Sequence, residues 1–353
     1  MMQEMKSKIS RRKFFSGILG TSAVLLCQSC KRKEDPHLIT TSNAETKLHT
    51  NAKESSKPTR IVVVKSKKYM ATGTIHIDDV RRMLQEGIVR LTGSESAKDA
   101  WKLLFDPDEI IGIKVNCLAG ARMSTHPQIA YAVAMELMGI GVKGERILIW
   151  DRSNRELEGA GFKVTVADKP LCFGTDTEGI GYDEDIYEVS STGSLLSRIV
   201  TRLCTAFVNM PVVKDHGIVG YTGALKNWLG AVHNPNKYHS DKGDPQIAEL
   251  SAFAEIKNKQ KLIVCDALDV QYHGGPSFKP QFVVRHGAII ISTDPVAVDF
   301  YGWQVVEGYR KKRGLKNLES EGRKPTYILT AAKEPLKLGF ADQAMVDVIE
   351  IEM

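Results

Sequence analysis

Cysteine is scarce in this chain, at six in 353 residues, and the four in its body (Cys117, Cys172, Cys204 and Cys265) form no C-x-x-C pair. Zinc ribbons and ferredoxin-type clusters need paired thiolates, so neither is expected and no iron–sulfur cluster is assigned. Nucleophile elbow, phosphate loop and dinucleotide fingerprint are also missing, which excludes a dinucleotide cofactor from the expectations. The apolar run Phe14 to Cys27 would rise ~21 Å as a helix, short of a bilayer core of about 30 Å. Excess charge is lacking too. Residues 1–29 hold a net +4 of the chain's +6, leaving +2 for the remainder. So small a charge gives no electrostatic footprint for nucleic acid, and no nucleic-acid partner is expected. The densest basic cluster, Arg310-Lys311-Lys312-Arg313, reads as a solvated helix face.

What is present begins with Ser10-Arg11-Arg12-Lys13-Phe14-Phe15. Paired arginines, then a short apolar stretch diluted by Gly and Ser, then polar chain resemble a twin-arginine signal peptide over residues 1–29. The expected partner is therefore the twin-arginine export machinery, and the expected location is the periplasm or cell envelope. Ser29-Cys30 before Lys31-Arg32-Lys33 looks like the end of a lipoprotein signal, whereas Leu26, Cys27 and Gln28 fit that pattern poorly. Both a free form and a form held to the membrane by a lipid on Cys30 stay open. Residues 30–58 are polar and aperiodic, and read as a tether.

From residue 59 to 353, short apolar runs alternate with helical patterns. Arg60–Val64, Ile110–Ile113, Ile147–Trp150, Ala206–Val213, Lys261–Cys265, Ala288–Ser292 and Val346–Ile351 read as strands. Ile77–Leu91, Ser96–Phe105, Pro127–Met138, Ser153–Ala160 and Asp294–Val306 read as helices. Continuous apolar strands between helices predict an α/β fold, a mostly parallel sheet with helices on both faces, in one large domain.

The polar residues that follow these runs carry the functional reading. Lys114 and Asn116, Asp151, Lys214 with Asp215 and His216, Asp266 and Asp294 each follow an apolar run. Ligands of open parallel sheets bind outside the carboxyl ends of the strands, where such residues converge. An Asp before a helix is also an ordinary cap, and Asp294 before Pro295 reads that way; Asp151 before Ser153-Asn154 leaves both readings open. A lysine gains nothing as a helix N-cap, so Lys114 and Lys214 point to an anion. The densest stretch, Pro211 to Asp244, adds Lys226, Asn227, His233 and His239, with Gly217, Gly220, Gly223 and Gly230 between them. Gly223 to Gly230 is expected to hold a short helix whose N-terminus faces an anion. A divalent metal on His216, His233 and His239 is the alternative, although their spacing matches no ligand signature.

At Ile113-Lys114-Val115-Asn116-Cys117, Ser124-Thr125-His126-Pro127, Trp150-Asp151-Arg152, Pro211 to His216, Ala224 to Asn227, Gly274-Gly275-Pro276 and Ser292 to Asp299, the sequence resembles the domain-of-unknown-function 362 family. The resemblance is to its signal-bearing branch without the ferredoxin segment, covers roughly residues 60–310, and implies fold and placement rather than a reaction. Two classes of function remain. One is an enzyme acting on a small anionic ligand, with Lys114, Lys214 and Lys226 holding charge, Asn116, Asn227, Asp151 and Asp266 completing the site, and His216 or His126, with Asp215, serving acid–base chemistry. The other is a binding protein of the envelope that captures a ligand or metal without turnover.

Overall fold

The ladder that organises the chain is visible in the alternation of its apolar residues. In the strand Thr59–Lys65, Ile61 and Val63 enter one core while Val62 and Val64 enter another on the opposite side. The strands Ile147–Trp150, Gln260–Gln271 and Val283–Ser292 divide their side chains the same way. A period of two with both sets buried requires a sheet covered on both faces. The computed structural model of the protein describes residues 58–353, and these fall within one compact unit. The export signal expected over residues 1–29, Cys30, and all but the last residue of the tether lie outside the described residues.

The strands are β1 (Thr59–Lys65), β2 (Ile111–Lys114), β3 (Ile147–Trp150), β4 (Leu171–Cys172), β5 (Tyr187–Val189), β6 (Thr192–Ser194), β7 (Ala206–Asn209), β8 (Val212–His216), β9 (Gly220–Thr222), β10 (Gln260–Gln271), β11 (Val283–Ser292) and β12 (Val346–Glu352). The main sheet runs β12-β1-β11-β10-β7-β2-β3-β4, with β8 pairing β10 and β9 pairing β8; β5 and β6 form a separate pair. β7, β2, β3 and β4 are mutually parallel, as are β10 with β7 and β1 with β12. β11 is antiparallel to both its neighbours. The fold is thus α/β with a mostly parallel sheet.

The helices are α1 (Lys67–Thr72), α2 (Ile77–Thr92), α3 (Ala97–Leu104), α4 (Pro127–Gly139), α5 (Asn154–Gly159), α6 (Ala224–Asn227), α7 (Gln246–Ser251), α8 (Ala254–Lys257), α9 (Pro295–Lys312) and α10 (Thr326–Ala331). α2 buries Val80, Met83, Leu84 and Ile88 at helical spacing against one face, together with α3 and α4. α6, α7, α9 and α10 cover the other. Asp294 does cap α9, accepting from the Ala297 amide at 2.8 Å. Among the described residues, no helix is long and apolar enough to cross a membrane.

Three expectations need correction. The strand expected over residues 206–213 is two strands, because Pro211 has no N–H for the ladder. β7 ends at Asn209, the Pro211 carbonyl accepts from the Asp266 amide at 2.8 Å, and β8 starts at Val212. Asp266 does not end its strand: β10 continues to Gln271 through a register shift near Ala267. Arg310 is not on a solvated face. It is fully buried, and its guanidinium meets Glu321, Asp215, the Lys316 carbonyl and His273.

Candidate functional site

Because β2 and β3 are parallel neighbours, Lys114 at the end of β2 pairs with Trp150 at the end of β3, one residue before Asp151. Their ends open into a crevice of about 620 Å³, whose walls also include Asn116, Lys214, His216, Lys226, Asn227 and His239. That is the size of a small-ligand site. Leu118, Ile218, Leu229, Pro235 and Pro276 add apolar surface, and Leu118 and Ile218 are exposed.

The three lysines there differ in their partners. Lys114, 1 % exposed, is neutralised by Asp151 at 2.7 Å and also donates to the Val115 carbonyl at 2.7 Å. Asp151 accepts from the Cys117 amide at 2.7 Å and the Arg152 amide at 2.8 Å, so it serves the loop after β2, and Ser153 caps α5 instead. Gly230 lets this pair pack tightly, since a Cβ there would lie 2.6 Å from Asp151 Oδ1. Lys214, 1 % exposed, donates among the described residues to two neutral acceptors, Asn116 Oδ1 at 2.8 Å and the Met123 carbonyl at 3.1 Å. Burial, partly offset by Asp151 and Cys117, lowers its pKa to about 8. Lys226, 7 % exposed, has neither a hydrogen bond nor an ion pair within the described residues. Burial and then the neighbouring charge of Lys214 push it down to about 7.

Amides hold this arrangement. Asn116 donates to Asn227 Oδ1 at 3.1 Å, and Asn227 donates to Asn209 Oδ1 at 2.8 Å and to the Lys114 carbonyl at 3.2 Å. Asn209 continues to Gln260 Oε1 at 2.7 Å, which also accepts from the Trp228 indole at 3.0 Å. Thr222, paired across the β8–β9 ladder with Lys214, has a buried hydroxyl in the crevice wall without a partner among the described residues.

His216 Nδ1 accepts from the Ile218 and Val219 amides at 3.2 and 3.4 Å, which leaves Nε2 as the protonated nitrogen. Burial, followed by the charges of Lys226, His239, Lys214 and Arg323, lowers its pKa to about 2. It is a neutral donor near pH 7, and its ring stacks on that of His239 at 5.2 Å between centroids. Behind it, Asp215 is fully buried and bound by Arg323, while its other oxygen accepts from the Gly275 amide at 3.1 Å. A Cβ on Gly275 would lie 1.8 Å from the Asp215 carbonyl, so glycine is required for this approach.

Several expected members stand elsewhere. His126 caps no side of the crevice: its Nδ1 meets Asp266 Oδ2 at 2.7 Å beside Tyr69 and Asp269, and its own amide donates to the same oxygen at 2.8 Å. Burial lowers the His126 pKa, but Asp266 and then Asp269 outweigh it and raise it to about 9. Asp266 faces this cluster because, two residues on from Val264, it shares the face that packs against α4. The histidine triad is also corrected. His233 is exposed and packs edge-on to Tyr182, and among the described residues no group of three or more His, Cys, Asp or Glu can hold a metal ion. The anion at the N-terminus of α6 is the protein's own: Asp299 of α9 accepts from the Ala224 and Leu225 amides. All four body cysteines are free and buried. Sequence reasoning missed Asn209, Thr222, Asp299, Arg310 and Arg323; only Asp299, inside the Asp294 to Asp299 motif, carried any signal.

The sheet and its crevice define an α/β protein with a lysine-rich cavity at the carboxyl ends of parallel strands. More particularly, the chain belongs to the family described as Domain of unknown function (DUF362), whose model matches residues 111–304, from the start of β2 into α9. No curated protein matches the chain. Among solved structures, the crystal structure of a protein from Thermotoga maritima is similar at 11 % identity and a TM-score of 0.38, over 68 % of this chain and 60 % of that one. The chain thus spans less than two thirds of that protein's length, and a likeness this faint carries no argument.

Proposed function

We propose that the protein binds a small carboxylate or phosphate in the crevice at the ends of β2, β3 and β8, and acts on it there. One observation carries the reading: Lys214 and Lys226 are both buried in the wall of one cavity, near enough for the charge of one to be felt by the other, and neither has a carboxylate partner among the described residues. Burying ammonium groups without a counterion costs free energy, and an anionic ligand supplies the missing charge. The His216 Nε2–H, the only donor on that ring, and the unpartnered Thr222 hydroxyl add neutral hydrogen bonds of the kind that orient a ligand. Arg152 at the rim is already paired with Glu156 and Lys114 with Asp151, so selectivity falls to Lys214 and Lys226, which have no carboxylate partner among the described residues.

The same proposal places the protein outside the cytoplasm. Arg11-Arg12, the apolar run to Cys27 and the polar stretch to Pro58 support export by the twin-arginine route, with Cys30 as the candidate lipid acceptor.

The test is thermal denaturation of the full chain in phosphate and in acetate, against chloride at equal ionic strength. A ligand that binds only the folded state raises Tm with concentration. Phosphate or acetate is expected to raise Tm beyond chloride, and Lys226→Met to abolish the difference. Equal Tm in all three salts sinks the proposal.

A further inference from the structure

We propose that Lys226 is a nucleophilic amine and that the crevice takes a small 2-oxo acid, whose carbonyl carbon Lys226 attacks to form an imine. The proposal rests on the anion-site reading above and names the ligand class.

Lys226 differs from its neighbours in what its nitrogen does. Lys114 and Lys214 are each tied to acceptors that fix an ammonium, whereas the Lys226 nitrogen is engaged by no hydrogen-bond or ion-pair partner among the described residues. A lysine needed only for charge gains from such acceptors, while a nucleophile needs a free lone pair. Desolvation beside a second cation is the environment that yields a neutral, reactive amine, and the lowered pKa of Lys226 agrees with it.

Its mounting is rigid. Asp299 fixes the amides of Ala224 and Leu225 directly before it, and Asn227 directly after it is held by the Lys114 carbonyl and Asn209. A catalytic group needs such support from its surroundings. Apolar Leu118, Ile218, Leu229 and Pro276 line the crevice, and apolar lining favours loss of water from the adduct.

In the step, the neutral Nζ lone pair forms a C–N bond to the carbonyl carbon, and the π electrons move to the carbonyl oxygen. The Lys214 ammonium is placed to protonate that oxygen. The nitrogen then gives up two protons, one returning to Lys214 and one going to the hydroxyl, the C–O bond breaks with its electron pair on oxygen, and water leaves; amine and carbonyl become imine and water without an oxidant or reductant. His216 and Thr222 are left to hold the carboxylate.

The experiment incubates the full chain with pyruvate or glyoxylate, adds borohydride, and maps the adduct by mass spectrometry. The expected product is one adduct on Lys226, with the mass of the acid less one water plus two hydrogens. It is absent from Lys226→Arg, a variant that keeps the positive charge and whose folding circular dichroism checks. Adducts spread over surface lysines, or undiminished in Lys226→Arg, overturn the proposal. Tm shifts with lactate, which has no carbonyl, are measured beside those with pyruvate. Shifts with both acids and no adduct on Lys226 remove the imine and keep the anion site. Neither shift nor adduct removes both.

Discussion

Asp299 Oδ2 accepts the backbone N–H of Leu225 at 3.0 Å, so a carboxylate from α9 caps the four-residue helix that carries Lys226. Gly223 offers no side chain for this task, and a Cβ there would lie 2.0 Å from Asp299 Oδ1. Burial, opposed by the Leu225 and Ala224 amides, raises the Asp299 pKa to about 7. Asp299→Ala leaves two buried donors unpaired, at about 1–3 kcal/mol each, and is expected to lower urea stability accordingly. Asp299→Asn keeps one acceptor and is expected to lose less. Hydrogen exchange at Ala224 and Leu225 is the local check, and unchanged protection in the Ala variant would contradict the cap.

The Lys114–Asp151 pair is expected to serve the fold rather than the ligand. Removing one partner of a buried pair strands a charge at about 3–5 kcal/mol. Lys114→Met should therefore destabilise strongly, while Lys114→Met with Asp151→Leu recovers part of the loss. The comparison is made by denaturant titration. A single variant as stable as the wild type would show that the pair carries no such weight.

The lysines set a pH dependence whose sign can be worked out. A lysine depressed to about 7 binds fewer protons folded than unfolded between about 7 and its unfolded value near 10.4. Its contribution to stability therefore rises with pH in that window, and the penalty of a buried ammonium is fully present below it. Lys226→Met is expected to flatten that rise. Anion binding runs the other way, because the ligand needs the charge: the phosphate-induced rise in Tm should shrink from pH 6 to pH 9, as Lys226 and then Lys214 at about 8 lose their protons. Imine trapping by borohydride should instead increase as pH rises through 7. A phosphate effect independent of pH would disconnect it from these lysines.

These relationships were unequally legible in the chain. β1, β3, α2 and α4 follow from local periodicity, since each buries its apolar residues at the spacing its geometry demands. The ends of β2, β3 and β8 could be placed together because a parallel sheet aligns the carboxyl ends of its strands. Partners from distant segments left no comparable trace. Arg310 sits in a basic run, but the groups that bury it come from residues 215, 273 and 321. Asn209 lies in an apolar run, yet faces Asn227 and Gln260 across the site. Nearness in sequence misled in the opposite direction for His233, whose ring packs on Tyr182 while His216 stacks on His239.

The proposed export by the twin-arginine route makes a prediction independent of the crevice. The route reads the arginine pair rather than charge alone, so Arg11→Lys with Arg12→Lys keeps the net charge of the segment while removing its signal. The variant is expected to stay in the cytoplasmic fraction while the wild type is recovered from the envelope. Mass spectrometry of the wild-type protein then decides between the two proposed forms. A mature chain beginning at Cys30 with added acyl mass means anchoring by lipid, and an unmodified N-terminus near the end of the apolar run means release into the periplasm. Equal distribution of wild type and variant would show that Arg11-Arg12 is an ordinary basic pair.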